Sequence, residues 1–188
     1  MKGEFPRAEE YLKKNLEEQP GNLQAMADLG DLFLSAKDWE RAEGAYLDIQ
    51  RKAPQSALGY MRMGEYYAAR KIWDRAAEEY EQAVNRDPGQ DVLFTSLVRI
   101  YAGQRKFAPG IAACEARVRR NPKDAFAYHL MGQLYADQGD PRKAEGAFMK
   151  AMDADPDNLA NYQSLARLYA SGKDYPGAMQ VYEKALAK

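Results

Sequence analysis

The chain has 188 residues, with 27 Lys and Arg against 28 Asp and Glu, so its net charge at pH 7 is −1. This balance excludes a strongly basic nucleic-acid binder, and a composition of 46% hydrophobic and 29% charged residues argues against disorder. A single Cys and a single His exclude an intramolecular disulfide and a multi-cysteine metal site. No apolar stretch approaches the roughly 20 residues of a transmembrane helix, and the first residues lack a signal-peptide pattern.

A proline recurs every 34 residues along the chain, which predicts a repeat protein. These prolines are Pro20, Pro54, Pro88, Pro122 and Pro156. If each proline is counted as position 32 of a repeat, the frame accounts for the whole chain. We therefore expect one domain over 1–188, made of a half repeat at 1–22 and repeats at 23–56, 57–90, 91–124, 125–158 and 159–188.

Two helices are predicted in each repeat, because apolar residues recur at helical spacing. Positions 4, 7, 8 and 11 mark one face of a first helix, A, and positions 20 and 24 mark one face of a second helix, B. Small residues at positions 8 and 20 allow the two helices to approach closely, while large residues fill the surrounding space. In the first full repeat these residues are Met26, Leu29, Gly30, Phe33, Ala42 and Tyr46.

The start of each B helix is predicted by prolines and aspartates. A proline in the first turn of a helix costs little, since the N–H it lacks has no partner there. Aspartate is a preferred N-cap. The prolines are Pro6, Pro109, Pro141 and Pro176, and the predicted caps are Asp38, Asp74, Asp140 and Asp174.

Repeat three departs from the pattern, with Val98 at position 8, Gly110 at position 20, Cys114 at position 24 and Arg117 at position 27. Two interpretations stay open. In the first, the larger side chain at one helix contact has moved from helix B to helix A, so that Val98 fills the space left by Gly110. In the second, repeat three has simply diverged from the repeat pattern. The place of Cys114 in the frame predicts a small buried hydrophobe and not a reactive thiol.

This pattern resembles the tetratricopeptide repeat (TPR) family over nearly the whole chain. The resemblance implies an all-α, right-handed superhelical solenoid of antiparallel helix pairs. It also implies a non-enzymatic protein–protein interaction scaffold that needs no cofactor and no metal. The closing phrases Asp-Pro-Gly at 87–89 and Asp-Pro-Asp-Asn at 155–158 are similar to those of bacterial members.

The family's A helices line a concave groove, and the resemblance implies that positions 2, 5, 9 and 12 face a partner protein or peptide. Leu58 with Met61, and Phe126 with His129, are expected as exposed apolar anchors. Position 9 changes from acidic to basic along the chain, which predicts a direction for a bound peptide. The alternative is that these residues are simply solvated. The predicted groove residues are Gln24, Asp31, Leu58, Met61, Glu65, Thr95, Arg99, Phe126, His129, Gln133, Gln163 and Arg167.

Two other functions were weighed against this groove. The family's clamp for a C-terminal carboxylate needs several Lys, Asn and Arg residues. In the first three repeats, positions 5 and 9 offer only one cation, Arg99 beside Thr95, so we reject that function. The basic run from Arg117 to Lys123 indicates a solvated helix end, with an anionic partner as the alternative and nucleic acid not expected.

The two ends of the chain leave a further alternative open. Phe5, Leu12 and Leu16 at one end, and Val181, Tyr182 and Leu186 at the other, are expected to expose faces that a neighbouring repeat would cover. This favours a segment of a longer array; the alternative is a short protein whose ends are covered by a partner or a second copy. Self-assembly through these ends is therefore the second functional hypothesis. The sequence favours neither the cytoplasm nor the periplasm.

Overall fold

The computed structural model describes residues 4–187, and these residues form α-helices joined by short turns, with no strand among them. The all-α prediction is confirmed. The helices are α1 Glu4–Glu18, α2 Leu23–Ser35, α3 Trp39–Lys52, α4 Ala57–Ala69, α5 Trp73–Arg86, α6 Asp91–Gly103, α7 Phe107–Arg120, α8 Ala125–Gln138, α9 Pro141–Ala154, α10 Leu159–Ser171 and α11 Tyr175–Leu186.

The even-numbered helices occupy the A positions of the repeat frame, and the odd-numbered helices occupy the B positions. Within each unit, an A helix packs on the B helix that follows it, as α2 does on α3 and α8 does on α9. A B helix likewise packs on the next A helix, as α3 does on α4 and α9 does on α10. The fold clusters into two compact units, Met1–Ile100 and Tyr101–Lys188, which we call unit one and unit two. The boundary between them falls inside α6.

The core of unit one is built around aromatic rings from α2, α3 and α4. Tyr46 and Tyr66 are both almost fully buried, and their rings meet edge to face with centroids 6.5 Å apart. Phe5 and Leu16 of α1 pack against this core and are half-buried. These apolar contacts help to hold α1 on the rest of unit one.

The core of unit two includes Phe148 of α9, Tyr162 and Leu165 of α10, and Val181 of α11. The expectation that Val181 is exposed is wrong, because this side chain packs into the core on the inner face of α11. The expected exposure of Tyr182 and Leu186 is confirmed.

Glycines at position 8 of the frame make room for the aromatic ring at position 24 of the same repeat. A Cβ atom placed on Gly64 would lie 2.8 Å from the Tyr80 ring, and one placed on Gly132 would lie 2.6 Å from the Phe148 ring. Carbon atoms do not approach so closely, so these positions require glycine. The close approach predicted at position 8 therefore occurs, and the group that approaches the glycine is the aromatic ring at position 24.

The turn between helices A and B contains a left-handed residue at position 15 in every repeat, a feature that the sequence reading missed. After α8 the residue is Gly139, with φ 86°, and its N–H donates to Ala136 O, while the next N–H, that of Asp140, donates to Tyr135 O. These two bonds form a Schellman motif, which satisfies the last carbonyls of the A helix. The other four residues have φ between 56° and 63°; they are Lys37, Lys71, Arg105 and Lys173.

Three of the four predicted N-caps are confirmed. The Asp38, Asp140 and Asp174 side chains each accept a hydrogen bond from the backbone N–H three residues later. The prediction for Asp74 is wrong, because α5 begins at Trp73 with Ile72 as its N-cap, which leaves Asp74 inside the first turn. All four prolines lie in the first turn of a B helix, as expected.

Candidate functional site

A surface cavity of about 340 Å³ lies between the A helices α8 and α10 in unit two, and we call it the A-face groove. Gln133 and Arg167 occupy position 9 of the two A helices on its rim. Leu168 is half-buried and supplies apolar surface, and the almost fully buried ring of Phe148 also lines the groove. The predicted groove residues Gln133 and Arg167 are therefore brought together. The lining residues are Gln133, Ala136, Asp137, Phe148, Ser164, Arg167, Leu168 and Ser171.

A chain of hydrogen bonds runs beneath this groove from α8 to α9. His129 Nδ1 lies 2.8 Å from Asn161 Oδ1, and Gln133 Nε2 lies 2.9 Å from His129 Nε2. The Asn161 Nδ2 group donates to Ala151 O in the last turn of α9 at 3.2 Å. The His129 ring also meets the Phe148 ring edge to face, with centroids 5.7 Å apart. His129 thus fixes the ring next to the groove.

The hydrogen bonds of Asn161 determine the protonation of His129. Because the Asn161 amide nitrogen donates to Ala151 O, its oxygen must accept, and His129 Nδ1 must carry a proton. With the Gln133 amide nitrogen facing it, His129 Nε2 accepts a hydrogen bond, and the ring is neutral in this arrangement. Burial lowers the pKa of His129 below its ordinary value, opposed by the Asn161 hydrogen bond. Asn161 is 1% exposed, so both its groups are satisfied inside the protein.

Phe126, expected as an exposed anchor, is half-buried. The Arg117 guanidinium lies over its ring, with Cζ 5.3 Å from the centroid. Arg117 also forms an ion pair with Asp124 at 2.7 Å, and Asp124 caps α8 by accepting from Ala127 N at 2.8 Å. Arg117 is therefore part of the packing between α7 and α8, and the expected solvated helix end does not include it.

The second pair of expected anchors, Leu58 and Met61, lines a smaller cavity of about 290 Å³ in unit one. Both side chains, expected as exposed anchors, are half-buried. Arg86 and Asp87 give this cavity a polar rim. Arg86 is held in place, because its Nε donates to Pro54 O at 2.7 Å.

The two acidic residues at position 9 in unit one are bridged by one cation. Arg62 contacts Asp31 at 3.2 Å and Glu65 at 2.7 Å. Asp31 also accepts a hydrogen bond from the Tyr46 hydroxyl at 2.8 Å. Burial raises the pKa of Tyr46, and this hydrogen bond adds to the effect. The acidic end of the predicted charge gradient is therefore partly neutralised within the protein.

Four predicted groove residues remain, and two of them form hydrogen bonds within their own helix. Gln24 donates to Asp28 at 2.8 Å, and the Thr95 hydroxyl donates to Asp91 O in its own helix. Arg99 and Gln163 are exposed.

Comparison with protein families identifies the repeat. A family model described as tetratricopeptide repeat matches residues 1–63, and a second model with the same description matches residues 95–158 and 129–188. The chain belongs to the tetratricopeptide repeat family. Its all-α architecture is the TPR solenoid fold of antiparallel helix pairs. No curated protein matches the sequence.

Solved structures with this fold include several TPR proteins. The crystal structure of YrrB, described as a TPR protein with an unusual peptide-binding site, has a TM-score of 0.57 at 20% identity and covers 94% of this chain and 91% of its own. MamA from Desulfovibrio magneticus RS-1 has a TM-score of 0.61 at 20% identity, covering 88% and 93%. PilF of Pseudomonas aeruginosa has a TM-score of 0.60 at 17% identity, covering 88% and 75%. At these identities the likeness shows the fold.

TPR domains are typically non-catalytic, and family membership makes this chain a protein–protein interaction scaffold. Among residues 4–187, no cluster of three or more His, Cys, Asp or Glu side chains is arranged to hold a metal ion. No helix in the same range has the length and apolar character to cross a membrane. Cys114 is buried as predicted, and burial raises the pKa of its thiol to about 12.

Sequence reasoning missed several residues of the A-face groove. Phe148 was placed in the core by its position 24, yet it also lines the groove. Asn161 carries no signal in the repeat pattern, since position 3 is not part of either apolar face. Ser164 and Ser171 lie at positions 6 and 13, which the family often uses for ligands, and these positions give the only signal that could have found them.

Proposed function

We propose that the A-face groove of unit two binds a peptide segment of a protein partner, and that the chain acts as a scaffold without catalytic activity. The observation that carries the proposal is the cavity between α8 and α10, whose rim holds Gln133 and Arg167 and whose apolar surface is that of Phe148 and Leu168. A concave site with apolar surface and a few polar groups is typical of ligand binding.

The lining residues define the chemistry of the peptide. Leu168, with the buried Phe148 ring beside it, accepts one apolar side chain. The Gln133 amide and the Ser164 hydroxyl both donate and accept hydrogen bonds, so they suit peptide N–H and C=O groups. Arg167 is exposed and supplies a positive charge for a carboxylate on the peptide. Because the hydrogen-bond chain through His129 orients Gln133, the rim is preorganised.

The likeness to YrrB supports this proposal in a limited way. YrrB is described as having a peptide-binding site, and it shares the fold of this chain. The proposal that a peptide binds in this groove rests on the lining residues of this chain.

The test is to fill the groove without disturbing the core. Peptides are selected from a random display library on the wild-type chain, and their affinities are measured by fluorescence anisotropy. Ser171 is exposed and lines the groove, so Ser171→Trp should weaken peptide binding about tenfold or more. Ser35→Trp is the matched control, because Ser35 occupies the same repeat position in unit one and also donates to the carbonyl three residues earlier.

Charge is tested separately. Arg167→Glu should slow association and reduce its dependence on salt, since a rim charge acts mainly by steering. Arg142→Glu, an exposed change of the same size on a B helix, should have little effect. If the selected peptides bind Ser171→Trp as tightly as Ser35→Trp, the groove is not the site.

A second candidate function, self-assembly, is favoured by the surface of α11. Four large apolar side chains on this helix are exposed at the spacing of a single face. Two of them lie at positions 24 and 28 of the repeat. The residues at the same positions of α9 are Phe148 and Met152, and α10 covers both. The exposed face of α11 therefore resembles the α9 face on which a following A helix packs. The four residues are Tyr175, Met179, Tyr182 and Leu186.

Light scattering over a concentration series tests self-assembly. If copies associate through α11, the mass rises with concentration, and Met179→Lys abolishes the rise. Met149→Lys changes an exposed methionine on α9 and should leave the rise unchanged. A constant monomer mass would contradict this second function.

A further inference from the structure

Unit two has a second cavity, on the opposite side of α8 from the peptide groove, and we call it the B-face pocket. It has a volume of about 420 Å³ and lies between the B helices α7 and α9, with α8 as its floor. Because none of its lining residues lines the A-face groove, it does not depend on the function proposed for that groove. The lining residues are Glu115, Val118, Arg119, Tyr128, Met131, Tyr135, Lys143, Gly146, Ala147 and Lys150.

Two substitutions within the repeat frame leave this pocket open. Between α3 and α5 in unit one, the same positions are Gln50 and Glu79, and the Gln50 amide donates to the Glu79 carboxylate at 2.8 Å across the gap. In unit two these positions are Val118 and Ala147, which cannot form such a bridge and instead line the pocket. Next to Ala147, a Cβ atom on Gly146 would meet no atom within 4 Å.

Two tyrosine hydroxyls in this pocket have no hydrogen-bond partner among the described residues. They belong to Tyr128 and Tyr135, at positions 4 and 11 of repeat four. In repeat five, the tyrosines at the same positions are bonded: Tyr162 donates to Pro156 O at 2.9 Å, and Tyr169 donates to the Glu145 carboxylate. The hydroxyls of Tyr128 and Tyr135 are therefore available to a ligand.

The charges around the pocket are mainly positive. Lys150 Nζ lies 5.6 Å from the centre of the Tyr128 ring and forms no ion pair within residues 4–187. Lys143 Nζ lies 5.5 Å from the centre of the Tyr135 ring and also contacts Asp140 at 3.1 Å. Arg119 has only a distant contact with Glu115, at 3.9 Å. Three cations thus surround an apolar floor with one lining carboxylate, that of Glu115.

We propose that the B-face pocket binds an acidic segment of a partner protein, in which an Asp or Glu lies next to an aliphatic side chain. The carboxylate accepts hydrogen bonds from the tyrosine hydroxyls and pairs with Lys150, since a charged acceptor makes the stronger bonds. The aliphatic side chain packs on Met131, Val118 and Ala147. The scaffold then has two binding surfaces on opposite sides of α8.

The experiment selects acidic peptides from a random display library on the wild-type chain and measures their affinities by fluorescence anisotropy. Gly146→Trp should fill the pocket and weaken these peptides about tenfold or more. Gly44→Trp is the matched control, because Gly44 occupies the same repeat position and its Cβ would also meet nothing within 4 Å. Lys150→Glu should weaken binding similarly, whereas Lys184→Glu, at the same position of repeat five, should not.

Two further measurements keep the outcome decisive. Ser171→Trp, which fills the A-face groove, should leave these peptides bound, and far-UV circular dichroism should show retained helicity in every variant. The proposal is overturned if no acidic peptide distinguishes Gly146→Trp from Gly44→Trp. It is also overturned if inorganic phosphate competes as well as the peptides do, because the pocket would then be a small-anion site.

Discussion

The imidazole of His129 donates from Nδ1 to Asn161 Oδ1 at 2.8 Å, and this bond joins helix α8 to helix α10 under the A-face groove. Asn161 in turn donates to Ala151 O, so one buried amide connects three helices. A buried polar group is stable only when its hydrogen bonds are made, so each member of this chain depends on the next.

We expect Asn161→Ala to lower the free energy of unfolding by about 1–3 kcal/mol, because it leaves the His129 N–H without its partner inside the protein. Chemical denaturation measures this loss. Gln163→Ala, an exposed change two residues later on the same helix, serves as the control and should be nearly neutral. Equal stability of the two variants would show that the hydrogen-bond chain contributes nothing.

The pH dependence of stability follows from the lowered pKa of His129. The unfolded chain binds a proton at the ordinary pKa of 6.5, while the folded chain resists protonation to a lower pH. Between these values the unfolded state holds more protons, so stability is complete above the unfolded pKa and falls as the pH drops toward the folded pKa.

His129 is the only histidine of the chain, so His129→Gln isolates this effect. The difference in free energy of unfolding between wild type and variant should shrink as the pH is lowered from about 7.5 to about 5. A constant difference across this range would contradict the account of His129 as a buried neutral ring.

Gly132→Ala should destabilise the protein by about 1–3 kcal/mol, because the new Cβ would lie 2.6 Å from the Phe148 ring. Helix propensity alone predicts a gain of up to about 1 kcal/mol, so the sign decides between the two effects. Adding Phe148→Leu should recover part of the loss, and a double-mutant cycle by thermal unfolding measures the coupling.

Gly110→Ala is the comparison for Gly132→Ala. Its Cβ would lie 3.1 Å from Leu134 Cδ1, the flexible end of a side chain, so the loss should be smaller than for Gly132→Ala. A larger loss at Gly110 than at Gly132 would show that the ring at position 24 is not what requires glycine.

The helices and their faces follow from the sequence because one period of 34 residues repeats the same apolar positions. Details that depend on a single contact cannot be predicted from this period. Asp74 looks like a cap, but α5 begins two residues earlier than such a cap requires. Phe126 looks exposed from its position, yet Arg117 from the preceding helix covers its ring.

The left-handed turn residue was missed for a related reason. Its usual signal is glycine, and only Gly139 of the five residues at position 15 provides it. The B-face pocket was missed because it is open only where no side chains bridge two B helices. Gln50 and Glu79 form such a bridge in unit one, whereas Val118 and Ala147 at the same positions of unit two do not.

Lys71→Gly should stabilise the protein by up to about 1 kcal/mol, because a residue with a side chain is strained at the observed φ of 60° and glycine is not. Gly139→Lys should cost about the same amount, since it introduces that strain at φ 86°. Thermal unfolding of both variants gives the two shifts, and shifts of the same sign would contradict the turn geometry.

The central claim is that a peptide binds between α8 and α10, and nuclear magnetic resonance maps this directly. Amide resonances of the wild-type chain are recorded during titration with a peptide whose affinity is lost in Ser171→Trp. The account predicts the largest shifts at Gln133, Ser164, Arg167 and Ser171, with the Gln133 side-chain amide shifting as well. Shifts concentrated on α11, on the B-face pocket or on the Leu58 cavity of unit one would contradict it.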